Sequence, residues 1–243
     1  MSVALLKLSA AQQPITHTQQ PVVTGTSVLG LRYADGVMLA ADTLASYGSM
    51  ASFKDTRRLQ KVGDHTLVGA SGEISDFQSI TDMLEDMHQE DVNQDDGYTK
   101  SPVEIYNYLR ATMYQRRNKG NPLWNQLLVA GFKAGTPFLG YVDLIGTAYE
   151  ENYIATGFGA YLAMPIIRER WHADMEEGEA RALLEDCLRV MYYRDCRASS
   201  RIQIAKATAE GTLISEPFVI ENDWETATFY ARHAAGAGDG SSW

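Results

Sequence analysis

Two apolar runs of strand length, TSVLGLRY and GVMLAADT, stand on either side of a turn signal early in the chain. The turn signal is Asp35-Gly36, a pair that favours β-hairpins because both residues tolerate a positive φ. Two more runs of strand length, SYGSMASF and HTLVGASG, follow within the next thirty or so residues. The chain up to Gly72 is therefore predicted to form an antiparallel sheet.

Helical patterns come next. After Gly72, apolar residues recur at the spacing of one helix face; they are Phe77, Ile80, Leu84 and Met87. A second helix is predicted to begin after Ser101, because Ser-Pro-Val-Glu is a capping box with proline at the first helical position. Strand patterns follow around the turns KAGTP and Glu210-Gly211. Two more helical stretches lie between them along the chain, and the first begins near Gly159.

The predicted order is strands, two helices, strands, two helices, strands. Two sheets in the middle with helices covering both outer faces account for this order most simply, because each helix and each sheet must bury an apolar face. The sequence therefore predicts an α+β fold with four layers, an αββα sandwich. Residues 1 to about 20 are polar and show neither a helical nor a strand period. The tail HAAGAGDGSSW consists mostly of small and polar residues, so both ends are expected to be flexible.

Several classes of function are disfavoured. A formal net charge of -10 argues against nucleic-acid binding, which needs a basic surface. No apolar run approaches the length of a membrane span, so no membrane association is expected. The histidines show no ligand spacing, and we predict neither a metal nor a cofactor; they are His17, His65, His88, His172 and His233.

The two cysteines suggest a compartment. Cys187 and Cys196 lie in one helical-looking segment, about 13 Å apart if the helix is continuous, which is too far for a disulfide. Free thiols suit a reducing environment, so cytoplasm and nucleus are the expected locations.

Gly25-Thr26 raises the question of catalysis. A hydroxyl is a weak nucleophile without an adjacent base, and an N-terminal threonine can use its own α-amine, whose pKa lies near neutrality. This chemistry requires the Gly25–Thr26 bond to be cut. A lysine held by a carboxylate such as Asp42 would lower the pKa of the hydroxyl, and the amide of Gly72, expected to open a helix, would serve as an oxyanion hole.

Three segments in order, TGTSVLGLRYADGVMLAAD, GASG and YRDCRASSR, resemble proteasome beta subunits. The resemblance runs from about Thr18 to about Glu225. It implies the four-layer fold of the N-terminal-nucleophile hydrolases. It also implies a place in a beta ring of the 20S core, with other alpha and beta subunits as partners. On this basis the chain divides into a propeptide-like extension (residues 1–17), a beta-type domain (18–233) and a flexible C-terminal tail (234–243).

The resemblance also assigns the family's site to positions in this sequence. The nucleophile, the two aspartates, the lysine and the two serines of the family fall on Thr26, Asp42, Asp195, Arg58, Thr156 and Ala198. Arg58 is a permanent charge that cannot shuttle a proton, and Ala198 has no hydroxyl. We therefore expect a degenerate site with no catalytic residue, in which Asp42 pairs with Arg58 and Thr26 is an ordinary strand residue. Asp195 is expected to hold the neighbouring loop through backbone hydrogen bonds.

Further segments, among them THTQQPVVTGTSVLG and YQRRNKGNPLWN, resemble the inactive beta subunits of this family. That implies trimming between His17 and Thr18, which leaves residues in front of Thr26 and blocks its amine. The implied role is structural: to support assembly and the joining of half-cores for ATP- and ubiquitin-dependent protein degradation. The C-terminal tail, ending in Trp243, would reach the opposite beta ring.

Two alternatives remain open at this point. One is an active threonine endopeptidase matured at Gly25–Thr26. The other is a stand-alone binding module or a homo-oligomeric protease ring, which the loss of lysine and serine at Arg58 and Ala198 disfavours because every site in such a ring would be inactive.

Overall fold

A computed structural model describes residues 20–224. The predicted extension at residues 1–17, the His17–Thr18 processing point and the tail at residues 234–243 lie outside the described residues. The family assignment of these segments therefore stays a prediction.

The strands form two antiparallel sheets. The first sheet has eight strands in the order β10-β9-β8-β7-β1-β4-β5, with β6 also paired to β7, and the second has six in the order β11-β2-β3-β12-β13, with β14 also paired to β12. The strands are β1 Val23–Gly25, β2 Val28–Tyr33, β3 Gly36–Asp42, β4 Ala45–Tyr47, β5 Met50–Phe53, β6 Leu59–Val62, β7 Thr66–Glu73, β8 Asn125–Lys133, β9 Thr136–Asp143, β10 Ala148–Glu150, β11 Tyr153–Ala155, β12 Arg201–Thr208, β13 Gly211–Ile214 and β14 Phe218–Val219.

The helices lie in two groups along the chain. They are α1 Ile74–Gln94, α2 Pro102–Asn118, α3 Gly159–Leu162, α4 Met164–Arg170 and α5 Glu177–Arg194. The predicted stretch from Gly159 is divided into α3 and α4 near Pro165, because proline has no backbone N–H to continue a helix. The predicted start of α2 is confirmed, since the Ser101 side chain and the Glu104 side chain cap each other's backbone amides.

In the described part of the chain, three apolar clusters hold the layers together. One lies between the sheets and includes Val28, Leu39 and Leu128. A second joins the first sheet to α1 and α2, and a third joins the second sheet to α3, α4 and α5. The predicted four-layer αββα sandwich is thereby confirmed.

The β2–β3 hairpin is present, but its glycine has a different role from the predicted one. Tyr33 pairs with Gly36, so the two-residue loop is Ala34-Asp35 and Gly36 is the first residue of β3. Neither Asp35 nor Gly36 has a positive φ. A Cβ on Gly36 would lie 2.2 Å from the carbonyl oxygen of Ala207, so glycine allows β12 to approach closely.

Two expectations near Gly25-Thr26 are wrong. Thr26 is not inside a strand; it lies between β1, which belongs to the first sheet, and β2, which belongs to the second. Gly72 does not open a helix, because it lies inside β7 and α1 begins two residues later. The chain changes sheets at Thr26, which sequence periodicity does not reveal.

Within residues 20–224 no helix combines the length and the apolar character that crossing a bilayer requires. The same range contains no group of three or more His, Cys, Asp or Glu side chains arranged to hold a metal ion.

Candidate functional site

Thr26 lies at the point where the two sheets meet. Its hydroxyl donates a hydrogen bond to Oδ2 of Asp195, a residue that follows the end of α5. Its nitrogen is part of the peptide bond to Gly25, which is buried at the end of β1. The Asp195 carboxylate accepts this bond, and the Thr26 nitrogen is an amide for as long as the Gly25–Thr26 bond is intact.

Strand β1 fills the space between β4 and β7. Val23 and Gly25 pair with Tyr47 and Ala45 of β4, and Gly25 pairs on its other side with Gly72 of β7. The residues immediately before Thr26 are thus part of the first sheet, with partners on both sides.

Glu73 holds the beginning of this strand, and sequence reasoning missed it. Its Oε2 atom accepts hydrogen bonds from the backbone amides of Val22 and Val23, and its Oε1 atom accepts one from the Ser75 hydroxyl at 3.0 Å. The side chain is buried. These amides are about fifty residues away along the chain, so no local pattern marks the contact.

Arg58 is fully buried, and every N–H of its guanidinium has an acceptor. Nε donates to the carbonyl of Asp42 at 3.0 Å, and Nη1 donates to the carbonyls of Thr26 at 2.9 Å and Ala70 at 3.2 Å. Nη2 donates to the carbonyl of Ser27 at 3.1 Å and to Oδ1 of Asp42. An arginine has five N–H donors, and all five of Arg58 are used. Arg58 therefore connects β3, β7 and the junction at Thr26.

Asp42 completes the ion pair expected with Arg58. Besides Arg58, it accepts a 2.7 Å hydrogen bond from the Ser199 backbone amide at Oδ2. Burial raises the pKa of Asp42, while the Arg58 guanidinium and the Ser199 amide act in the opposite direction. Asp42 therefore anchors both Arg58 and the loop after α5.

Asp195 shapes the same loop from its other end. Its Oδ1 atom accepts from the Arg197 amide at 2.9 Å, and its carbonyl accepts from the Ala198 amide at 3.0 Å. The sequence predicts such backbone hydrogen bonds for Asp195. It does not predict the contact between Asp195 and the Thr26 hydroxyl. Ala198, at the position to which the resemblance assigns a serine, contributes a methyl group and no hydroxyl.

Thr156 serves the backbone of β2. Its hydroxyl accepts from the Val28 amide at 2.8 Å and donates to the Val28 carbonyl at 3.3 Å. The structure thus brings Thr26, Asp42, Arg58 and Asp195 into one connected network, whereas the Thr156 hydroxyl is engaged by β2.

A cleft of about 320 Å³ opens beside this network. Thr24, Gly25 and Thr26 form part of its wall, and Trp124, Leu144, Phe158 and Arg197 are among the other wall residues. Its surface combines aromatic rings with a few polar groups, which is the usual composition of a small-ligand site.

Comparisons with known proteins identify relatives of this chain. The family model described as proteasome subunit matches residues 22–207. The chain is 46% identical over 231 residues to a protein named proteasome subunit beta type-4 from Arabidopsis thaliana, covering 95% of this chain and 94% of the relative. It is 48% identical over 206 residues to the beta type-4 protein of Dictyostelium discoideum, covering 84% and 80%. It is also 42% identical over 207 residues to the Saccharomyces cerevisiae protein named proteasome subunit beta type-7, covering 81% and 78%.

Proposed function

The chain belongs to the proteasome subunit family, and we propose that it is a non-catalytic beta subunit of the 20S core. Its role is to occupy one place in the beta ring, to support assembly and to help the half-cores join. It thereby serves ATP- and ubiquitin-dependent protein degradation without cutting substrate itself.

The hydrogen bonding of the Arg58 side chain is the observation that carries the proposal. A threonine peptidase needs a group near the hydroxyl that lowers its pKa or moves its proton. An arginine guanidinium cannot shuttle a proton as a lysine amine can, and all the N–H groups of Arg58 are committed to carbonyls and to Asp42. The residue at the family's lysine position therefore acts as a structural brace.

Strand β1 supports the same proposal for as long as the Gly25–Thr26 bond is intact. Since Val23 and Gly25 are paired on β4 and β7, the chain before Thr26 occupies the gap between those strands. An extended polypeptide cannot add to the sheet at this place while β1 is there.

The remaining parts of the proposal concern partners and place. The relatives' names support assembly with the other alpha and beta subunits of the proteasome, and we include contact between the C-terminal tail and the opposite beta ring. Cytoplasm and nucleus are the proposed locations. The alternative, an active endopeptidase matured at Gly25–Thr26, is not favoured.

The test uses the assembled particle. Sequencing the amino terminus of this subunit is expected to find residues upstream of Thr26, beginning at Thr18. An epoxyketone inhibitor should label active threonine subunits of the same particle, which serve as the positive control, and leave this chain unlabelled. A chain that begins at Thr26, or one labelled at Thr26, would rule out the non-catalytic role.

A homo-oligomeric ring is tested separately. Native mass spectrometry of the purified particle is expected to find this chain together with different subunits. Finding it only with copies of itself would favour the homo-oligomer.

A further inference from the structure

Two Asp-Gly pairs lie among the described residues, and their surroundings differ. They are Asp35-Gly36 in the β2–β3 hairpin and Asp96-Gly97 in the loop between α1 and α2; a third pair, Asp239-Gly240, lies outside the described residues. An aspartyl side chain followed by glycine can close a five-membered succinimide ring, because glycine has no Cβ to hinder the approach of its backbone nitrogen. Reaction in a folded chain requires that the backbone of the pair can move into the geometry of that ring.

Gly36 is held by a strand on each side. It is buried, and it pairs with Tyr33 across the hairpin and with Thr208 of β12. Ring closure at Asp35 would turn the peptide bond between Asp35 and Gly36 and displace Gly36 from both neighbouring strands. The first pair is therefore protected for as long as the hairpin is folded.

Gly97 has no such restraint. Both Asp96 and Gly97 are exposed, and a Cβ atom on Gly97 would meet no atom within 4 Å. The Gly97 amide makes no hydrogen bond to any residue between positions 20 and 224. Its φ of 75° lies in the left-handed region, which glycine enters at little cost. Movement of this peptide unit therefore breaks no strand or helix.

The Asp96 carboxyl group is held close to the Gly97 amide. Its Oδ1 atom accepts a hydrogen bond from the Tyr98 backbone amide at 2.8 Å, and the ring that this bond closes contains the Gly97 nitrogen. The carboxyl carbon therefore stays on the side of the backbone where Gly97 lies. The N–H donor also draws electron density away from this carbon, which is the atom that the nitrogen must attack.

The rest of the loop is anchored on both sides of the pair. The buried Asp91 carboxylate accepts hydrogen bonds from the Lys100 backbone amide at 3.0 Å and from the Lys100 ammonium. The Tyr98 hydroxyl donates to the Glu104 carboxylate at the start of α2. Because these contacts join α1 to α2 without using the backbone of Asp96, the loop can lengthen by one backbone atom there without unfolding either helix.

We propose that Asp96 is a site of spontaneous isomerisation to isoaspartate in the folded protein, and that Asp35 is not. The Gly97 nitrogen attacks Cγ of the protonated Asp96 carboxyl group, a C–N bond forms, and the amide proton and the carboxyl hydroxyl leave as water. Water then opens the succinimide at its main-chain carbonyl, so the chain runs through the former side chain and residue 96 carries a free α-carboxylate. One water is lost and one is gained, and no oxidant is needed.

This modification is independent of the proposed function, because no residue of the network around Thr26 takes part in it. The test incubates the purified full chain at pH 6 and 37 °C, folded in one arm and in guanidinium chloride in the other. Tryptic peptides 33–54 and 62–100 contain the two pairs, and electron-transfer fragmentation locates an isoaspartyl residue within each. In the folded arm, isoaspartate is expected to form about tenfold or more faster at Asp96 than at Asp35, whereas in denaturant the two rates should be similar.

Two variants give a matched comparison. Asp96→Glu keeps the negative charge but requires a six-membered ring, so isoaspartate at position 96 should be lost. Asp35→Glu is the control and should leave the rate at Asp96 unchanged. Circular dichroism checks that both variants are folded. Equal rates at Asp96 and Asp35 in the folded chain would overturn the proposal, and so would the absence of isoaspartate at Asp96 in that arm.

Discussion

Gly25 lies directly against the side chain of Arg58: a Cβ atom on residue 25 would come within 2.4 Å of the Arg58 Cδ atom. Side chains often relieve such a clash by turning away. Arg58 cannot, because its guanidinium is held by carbonyls of three segments and by Asp42. The glycine before Thr26 is thus required by packing in this chain, whether or not the bond after it is ever cut.

We therefore expect Gly25→Ala to destabilise the fold. Adding atoms to a filled interior typically lowers the free energy of unfolding by about 1 to 3 kcal/mol. Because the Arg58 side chain is held in place, we expect a loss of about 2 kcal/mol or more for Gly25→Ala. Urea unfolding of the full chain measures it. Gly178→Ala is the control, since no atom lies within 4 Å of a Cβ there; it should be neutral or stabilising by up to about 1 kcal/mol. Equal stability of Gly25→Ala and the parent would show that Arg58 moves freely.

Arg58→Lys tests the brace itself. Lysine keeps the charge but has three donors for five acceptor contacts, so buried carbonyls around Thr26 lose their partners. We expect a loss of about 3 kcal/mol in the free energy of unfolding. No epoxyketone labelling should appear, because Ala198 and the intact Gly25–Thr26 bond remain.

The neighbouring arginine provides the comparison. The Arg57 side chain is 40% exposed, and within residues 20–224 its ion pairs, with Asp55 and Glu216, lie at the surface. Exposed ion pairs contribute about 0 to 1 kcal/mol, so Arg57→Lys should change stability little. Similar effects of the two substitutions in urea unfolding would contradict the structural role of Arg58.

The sequence predicts structure correctly where the signal is local, or where the family resemblance assigns a site position to a particular residue. The capping box at Ser101 is such a local signal, since Ser, Pro and Glu stand within four residues and the structure has both capping bonds. The pairing of Asp42 with Arg58 came from the residue types at two family positions, and the structure has it.

The failures have a common physical cause. Glu73 contacts the amides of Val22 and Val23 only because β1 and β7 are neighbours in the sheet, and the sequence does not encode strand order locally. The apolar pattern predicts a strand at Thr26, because periodicity cannot show that the chain leaves one sheet for the other there. Gly36 was explained by turn geometry, whereas the contact that requires it comes from the distant strand β12.

The two thiols should differ in reactivity. Cys187 is fully buried in α5, and burial raises its pKa to about 12, so it stays a protonated thiol near neutral pH. Cys196 is exposed after the end of that helix. Iodoacetamide at pH 8 is expected to add one label, on Cys196, to the folded full chain and two labels in denaturant. Mass spectrometry of tryptic peptides would contradict this if Cys187 reacted at the same rate as Cys196 before unfolding.

The start of α2 should make stability depend on pH. Hydrogen bonds from the Tyr98 hydroxyl and from the Ser101 amide and hydroxyl lower the pKa of Glu104 from 4.5 to about 2. A depressed carboxyl pKa in the folded state adds stability above the unfolded pKa, and this contribution is lost as the pH falls through the folded value. The melting temperature should therefore be higher for the parent than for Glu104→Gln at pH 6, and this difference should shrink between about pH 4.5 and pH 2. Glu85→Gln, on the exposed face of α1, is the control and should show no such trend. A difference between parent and Glu104→Gln that is the same at pH 6 and pH 3 would mean that the Glu104 charge does not stabilise the helix start.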